Sequence, residues 1–271
     1  MLLFITSTHQ SLVREAKKES VPMNRAKIKM LNMNSFIGFI QAVFNPTAYA
    51  DAIRIQFTDR LLLFLLLAAF LIAVPLVFLV DNQWATLIRP ATTLQANSCK
   101  FMLYSAFFVF LGVIPSLFIW ASVDPTTDNI RTAVIVSRTI VYVLFFVTII
   151  KLLTGRDHPN DIRRPNTKDL SKEWFYRGRP FKQAGEVGTK ELGPEITGWP
   201  SGHSALACAV AIAILKTTNS KPLRVSFIIY AILIVFAMVM SVHWFSDVVS
   251  GTTMGIVLAL CMARTQTPPY W

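Results

Sequence analysis

The sequence predicts an all-α protein, a polytopic membrane bundle of about six transmembrane helices. Two observations carry that expectation. Of 271 residues 54 % are hydrophobic and 15 % charged, against about 25 % charged in an average soluble domain. The apolar residues also come in long blocks rather than with the period of a surface helix. About 20 residues at 1.5 Å each cross a hydrocarbon core of about 30 Å, and several blocks have that length.

Residues 1–60 read as a cytoplasmic arm followed by an interfacial segment. The arm carries Arg14, Lys17, Lys18, Arg25, Lys27 and Lys29, as expected of a tail held at the inner membrane surface. Its apolar stretch Leu2 to Ile5 is too short for a signal peptide. Ser35 to Phe44 is apolar but short and is ended by Asn45-Pro46, so Ser35 to Arg60 is expected to lie in the interface and lead into the first span.

The six spans are expected within residues 61–264. They are Leu61 to Val80, Phe101 to Ser122, Thr132 to Leu153, His203 to Leu215, Val225 to Val242 and Val248 to Ala263. The fourth is short and needs its flanks at the interfaces. Residues 265–271 form a short tail. Arg138 falls inside the third span, where a charge facing lipid is costly. Pairing inside the bundle is the expected solution, and a proton or substrate path the alternative.

With the N-terminal arm inside, Lys216, Lys221, Arg224 and Arg264 also fall on the cytoplasmic side, in agreement with the positive-inside rule. The loop 154–202 falls outside although it holds nine basic residues. Phosphate binding by some of these cations accounts for that, and so does an odd number of spans. The expectation is an integral protein of the bacterial inner membrane, with both termini cytoplasmic and the site on the outer face. A net charge of +11 raises nucleic acid as a partner, but the hydrophobic load fits no such module. Cys99, Cys208 and Cys261 are odd in number and lack metal-ligand spacing. Neither a disulfide framework nor a metal site is expected. Oligomeric state is left open.

Four histidines occur, His9, His158, His203 and His243. The last two stand in Trp199-Pro200-Ser201-Gly202-His203 and His243-Trp244-Phe245-Ser246-Asp247, each beside an apolar block. Phosphoryl transfer needs positive charge on the equatorial oxygens, an in-line nucleophile and a proton for the leaving oxygen. His243 and Asp247 are four apart, so on a helix they share a face. The carboxylate then takes one ring N–H and leaves the other nitrogen to attack. His203, at a helix start, is placed to protonate a leaving alkoxide. The Gly202 amide and its neighbours can hold phosphate oxygens.

Trp-Pro-Ser-Gly-His and His243-x3-Asp247-Val248-x2-Gly251 resemble two signatures of the type 2 phosphatidic acid phosphatase (PAP2) superfamily. That superfamily also includes glucose-6-phosphatase and the vanadium haloperoxidases. The resemblance covers roughly residues 60–264 and is specific between 151 and 251. It implies a helical, PAP2/haloperoxidase-like core and a lipid phosphatase that needs no metal or other cofactor. By motif, His243 is the nucleophile, Asp247 its orienting partner and His203 the general acid, with Ser201 and Gly202 binding phosphate.

Two departures stand out. The family's Lys-x6-Arg-Pro signature is approximated by Lys151 to Pro159, with His158 where arginine is expected and Arg156 nearby. It is matched literally by Lys172 to Pro180, which includes Arg177 and Arg179. Lys151 and Arg156 are preferred because they adjoin a helix end, but Lys172, Arg177 and Arg179 also read as solvated loop charges. The arginine usually six residues before the nucleophile is Ala237. The expected function is hydrolysis of a lipid-linked phosphate monoester or pyrophosphate through a phosphohistidine. The alternatives are a lipid phosphotransferase and a degenerate relative that only binds phospholipid.

Overall fold

The structure, a computed structural model, describes residues 33–81, 83–84, 112–154, 199–241 and 243–265. Most of these are helical, with no strand among them. In chain order the helices are α1 (Met33–Val43), α2 (Pro46–Thr58), α3 (Arg60–Leu79), α4 (described over Gly112–Val123), α5 (Thr127–Thr154), α6 (Gly202–Thr217), α7 (Lys221–Ser241) and α8 (Phe245–Ala263). By length and composition, α3, α5, α7 and α8 can each cross a membrane, while α4 and α6 are shorter. The chain is an integral membrane protein with outward apolar faces. Leu61, Phe64 and Leu71 on α3 and Ile229, Ile232 and Phe236 on α7 are all exposed, as side chains meeting hydrocarbon must be.

α8 is the hub. It packs on α6, α3, α5 and α2, and less on α7. Its closest approach is to α6, and two glycines permit it. A Cβ at Gly251 would stand 2.3 Å from the Ser201 carbonyl oxygen, and one at Gly255 would stand 2.1 Å from that of Ala205. Any larger residue would have to push one helix backbone off the other. Small residues four apart are a common device for close helix packing in lipid, where hydrophobicity supplies little drive between helices.

α1 and α2 are fastened to α5 by polar contacts. Asn45 caps α2 through Thr47 N–H, and Pro46 suits the first helical position. Arg138, fully buried and halfway along the α5 span, donates from Nε to the Ala42 carbonyl at 2.8 Å. Ala42 lies in the last turn of α1, whose carbonyls lack partners within the helix. The guanidinium therefore meets the negative end of a helix dipole. The Tyr49 hydroxyl donates to the neighbouring Val43 carbonyl at 2.8 Å, and Tyr142 donates to Gln56 at 3.0 Å. Pairing of Arg138 within the bundle, expected from sequence, is what the structure contains.

The two ends of the bundle differ in chemistry. At one end lie the α3 N-terminus and the α8 C-terminus, joined by the Asp59–Arg264 ion pair. The α5 N-terminus joins the loop after α6 at the same end, through Asn219 and Asp128. Arg264 and the backbone amides of Leu61 and Leu62 hold the Asp59 carboxyl below its usual range. The opposite end gathers the two histidine motifs. Gly255→Val should lower stability by about 3 kcal/mol or prevent folding, whereas Gly112→Ala, where among the described residues the added carbon meets nothing within 4 Å outside its own helix, should leave it unchanged or slightly raised. Melting midpoints in detergent distinguish them; equal midpoints would refute the close-packing argument.

Candidate active site

The C-terminal end of α5 and the N-terminal ends of α6 and α8 meet at this second end of the bundle. The first turn of α6 is set by Ser201. Its backbone is extended, and its hydroxyl accepts from Ser204 N–H at 3.4 Å and lies 3.0 Å from the Ser204 hydroxyl. Ser201 and Ser204 are fully buried, so these hydroxyls are committed to capping. The Ser201 amide donates to the Asp247 carbonyl at 2.9 Å, which ties one histidine motif to the other through the backbone. The amides of Gly202 and His203 belong to a first turn whose N–H groups have no partner inside the helix.

Gly202 opens α6 against α5. A Cβ there would stand 3.4 Å from Val147 Cγ1 and 3.9 Å from Lys151 Cε. The Lys151 side chain therefore runs beside the first turn of α6. Its ammonium acts electrostatically on both the His203 imidazole and the Asp247 carboxylate. Thr154, one turn further on, donates to the Trp199 carbonyl at 3.1 Å. The Trp199 indole N–H donates to the Ser250 hydroxyl at 3.1 Å, which donates in turn to the Ser246 carbonyl at 2.7 Å. Trp199 also meets Phe70 of α3 edge to face, with centroids 5.2 Å apart.

His243 and Asp247 make contact, but not as two residues on one helical face. His243 lies in a bend before α8, which begins at Phe245 after the N-cap Trp244. Asp247 is the third residue of α8. Its Oδ2 accepts from the Trp244 amide at 3.1 Å and lies 3.4 Å from His243 Nδ1. The pair thus meets because Asp247 folds back over its own helix start, as acidic residues there do to satisfy orphan amides. The 3.4 Å separation is longer than a well-formed N–H···O bond; such contacts often tighten only once substrate is bound. His243 is 5 % and Asp247 0 % exposed, so solvent does not compete for the contact.

Of the residues expected from sequence, Lys151, Ser201, Gly202, His203, His243 and Asp247 come together here. Arg156, His158, Lys172, Arg177 and Arg179 lie outside the described residues. Ala237, where an arginine was expected, is buried in an apolar cluster with Ala207, Cys208, Ala211 and Val248, so that position presents packing and not charge. Sequence reasoning missed Asp81, Ser246, Ser250, Thr154 and Gly255. Asp81 had a visible signal, a carboxylate placed directly after an apolar block of spanning length. Gly255 had one too, a second glycine four residues after Gly251.

An all-helical integral membrane protein with two histidines, a carboxylate and a lysine gathered at one end of its bundle is the class that fold and site define. The chain belongs to the PAP2 superfamily, which matches residues 132–270. Membership implies phosphatase-type activity. Compared with curated proteins and with solved structures, the chain has no match in either.

Proposed function

We propose that the protein is a membrane lipid phosphatase that removes phosphate from a lipid-linked monoester or diphosphate through a phosphohistidine. The observation that supports this most is the joining of the two histidine motifs by the Ser201 amide and Asp247 carbonyl, with Lys151 alongside. Asp247 takes the Nδ1–H of His243, so the lone pair sits on Nε2. That nitrogen attacks phosphorus as the bond to the leaving oxygen breaks, and His203, its protonated form favoured once the anionic phosphate is bound beside it, delivers a proton to that oxygen. Water then attacks the phosphohistidine, giving its proton to His203. Inorganic phosphate leaves and the imidazole of His243 is restored. Lys151 and the first-turn amides of α6 offset charge on the equatorial oxygens.

Purified protein in detergent should release inorganic phosphate from lipid phosphates without added divalent metal and be inhibited by vanadate. His243→Ala should lower kcat about a thousand-fold or more. Full activity of that variant on every lipid tested would remove the nucleophile assignment. A new phosphorylated acceptor in place of free phosphate would make the protein a phosphotransferase.

Lys151 alone presents one charge, and phosphoryl sites favour the bidentate fork of a guanidinium. With Ala237 buried among apolar side chains, the segment 155–198 is the proposed source, through Arg156 or Arg179. One of the two alanine variants should raise KM about ten-fold or more, the size of one lost charged hydrogen bond. Unchanged kinetics in both would reject a guanidinium from either position.

The end carrying Lys216, Lys221, Arg224 and Arg264 is proposed to face the cytoplasm, and the histidine end the outer side, by the positive-inside rule. A C-terminal fluorescent reporter that matures only in the cytoplasm should therefore be bright. A bright reporter from a partner that matures only outside would invert the topology.

A further inference from the structure

The N-cap side chain of α8 cannot accept an amide of its first turn. That residue is Trp244, and an indole only donates. The first turn of α8 is instead capped by a carboxylate 165 residues away in sequence. Asp81, just past α3, accepts the Ser246 amide on Oδ1 at 2.9 Å and the Ser246 hydroxyl on Oδ2 at 2.5 Å. Both residues are 0 % exposed, so water does not substitute for either bond. One turn further, Trp84 packs against Phe245 in a tilted arrangement, with ring centroids 5.1 Å apart. The residues just past α3 therefore hold the first two residues of α8, between Trp244 and Asp247.

The consequence concerns Asp247. Two carboxylates take different amides of this turn: Asp81 takes that of Ser246, while Asp247 takes that of Trp244 and faces His243. Without Asp81, the Ser246 amide is left in a buried place with Asp247 as the neighbouring carboxylate. A carboxylate turned toward that amide no longer faces Nδ1 of His243. Ser246 is also joined through Ser250 to Trp199, so the same contact fixes where α8 begins relative to the first turn of α6.

We propose that Asp81 is a positioning residue, which by capping α8 from another helix reserves Asp247 for His243 and aligns that pair with His203. This rests on the phosphatase reading of the site. It makes α3, which carries none of the family motifs, part of the alignment of the nucleophile.

The test compares Asp81→Ala, Asp81→Asn, Ser246→Ala and His243→Ala as monodisperse fractions in detergent, with kcat and KM measured on one lipid phosphate. Asp81→Ala should lower kcat about 10- to 100-fold, the cost of a misplacement of about 1 Å, with KM within about two-fold of the parent. Asp81→Asn keeps an acceptor for the amide and a donor for the hydroxyl, and should restore kcat to within about three-fold. Ser246→Ala should lower kcat less than Asp81→Ala and also spare KM. Parental kcat in Asp81→Ala overturns the proposal, as does a loss confined to KM. If Asp81→Ala gives no monodisperse protein, parental kcat in Ser246→Ala does the same. Activity in His243→Ala would instead sink the phosphatase reading, whatever the Asp81 variants do.

Discussion

The backbone contact between α6 and α8 is the constraint on which the rest of this protein depends. Gly251 and Gly255 let the Ser201 and Ala205 carbonyls approach to distances no Cβ would tolerate. At that separation the Ser201 amide can reach the Asp247 carbonyl, and residues some forty positions apart become one site. In lipid, helices are joined by shape and hydrogen bonds more than by apolar burial. The glycines therefore supply geometry that no number of leucines could replace.

Around that contact two helix ends are completed by side chains distant in sequence. Arg138 of α5 completes the end of α1, and Asp81 completes the start of α8. A membrane interior has no water to solvate an orphan amide or carbonyl, so these contacts hold the architecture as well as individual bonds. They also hold in place a site that sits at one end of the bundle. His243 lies outside regular helix, yet its neighbours Trp244, Ser246 and Asp247 are each hydrogen-bonded to something buried.

Much of this was legible in the sequence. The apolar blocks from Leu61 and Val225 became helices with exposed apolar faces, because a run of about twenty apolar residues in lipid has no other way to satisfy its backbone. The meeting of His243 and Asp247 was legible from their spacing, although a capping turn brings it about where a helical face was expected. The missing arginine at Ala237 was visible as an absence; that the position is sealed among alanines and a cysteine was not.

By itself the sequence determined the helical class, the family motifs and the residue types available for phosphoryl chemistry, since each is written in local composition and short spacing. Only the tertiary structure decided which end of which helix each motif occupies, and that Asp81 and Ser246 are partners. It also decided that the Ser201 hydroxyl serves a cap while its amide bridges the two motifs. The reason is physical: hydropathy and period act over a few turns of one helix. Whether a carboxylate meets an amide 165 residues away depends on how closely the helices between them are allowed to pack.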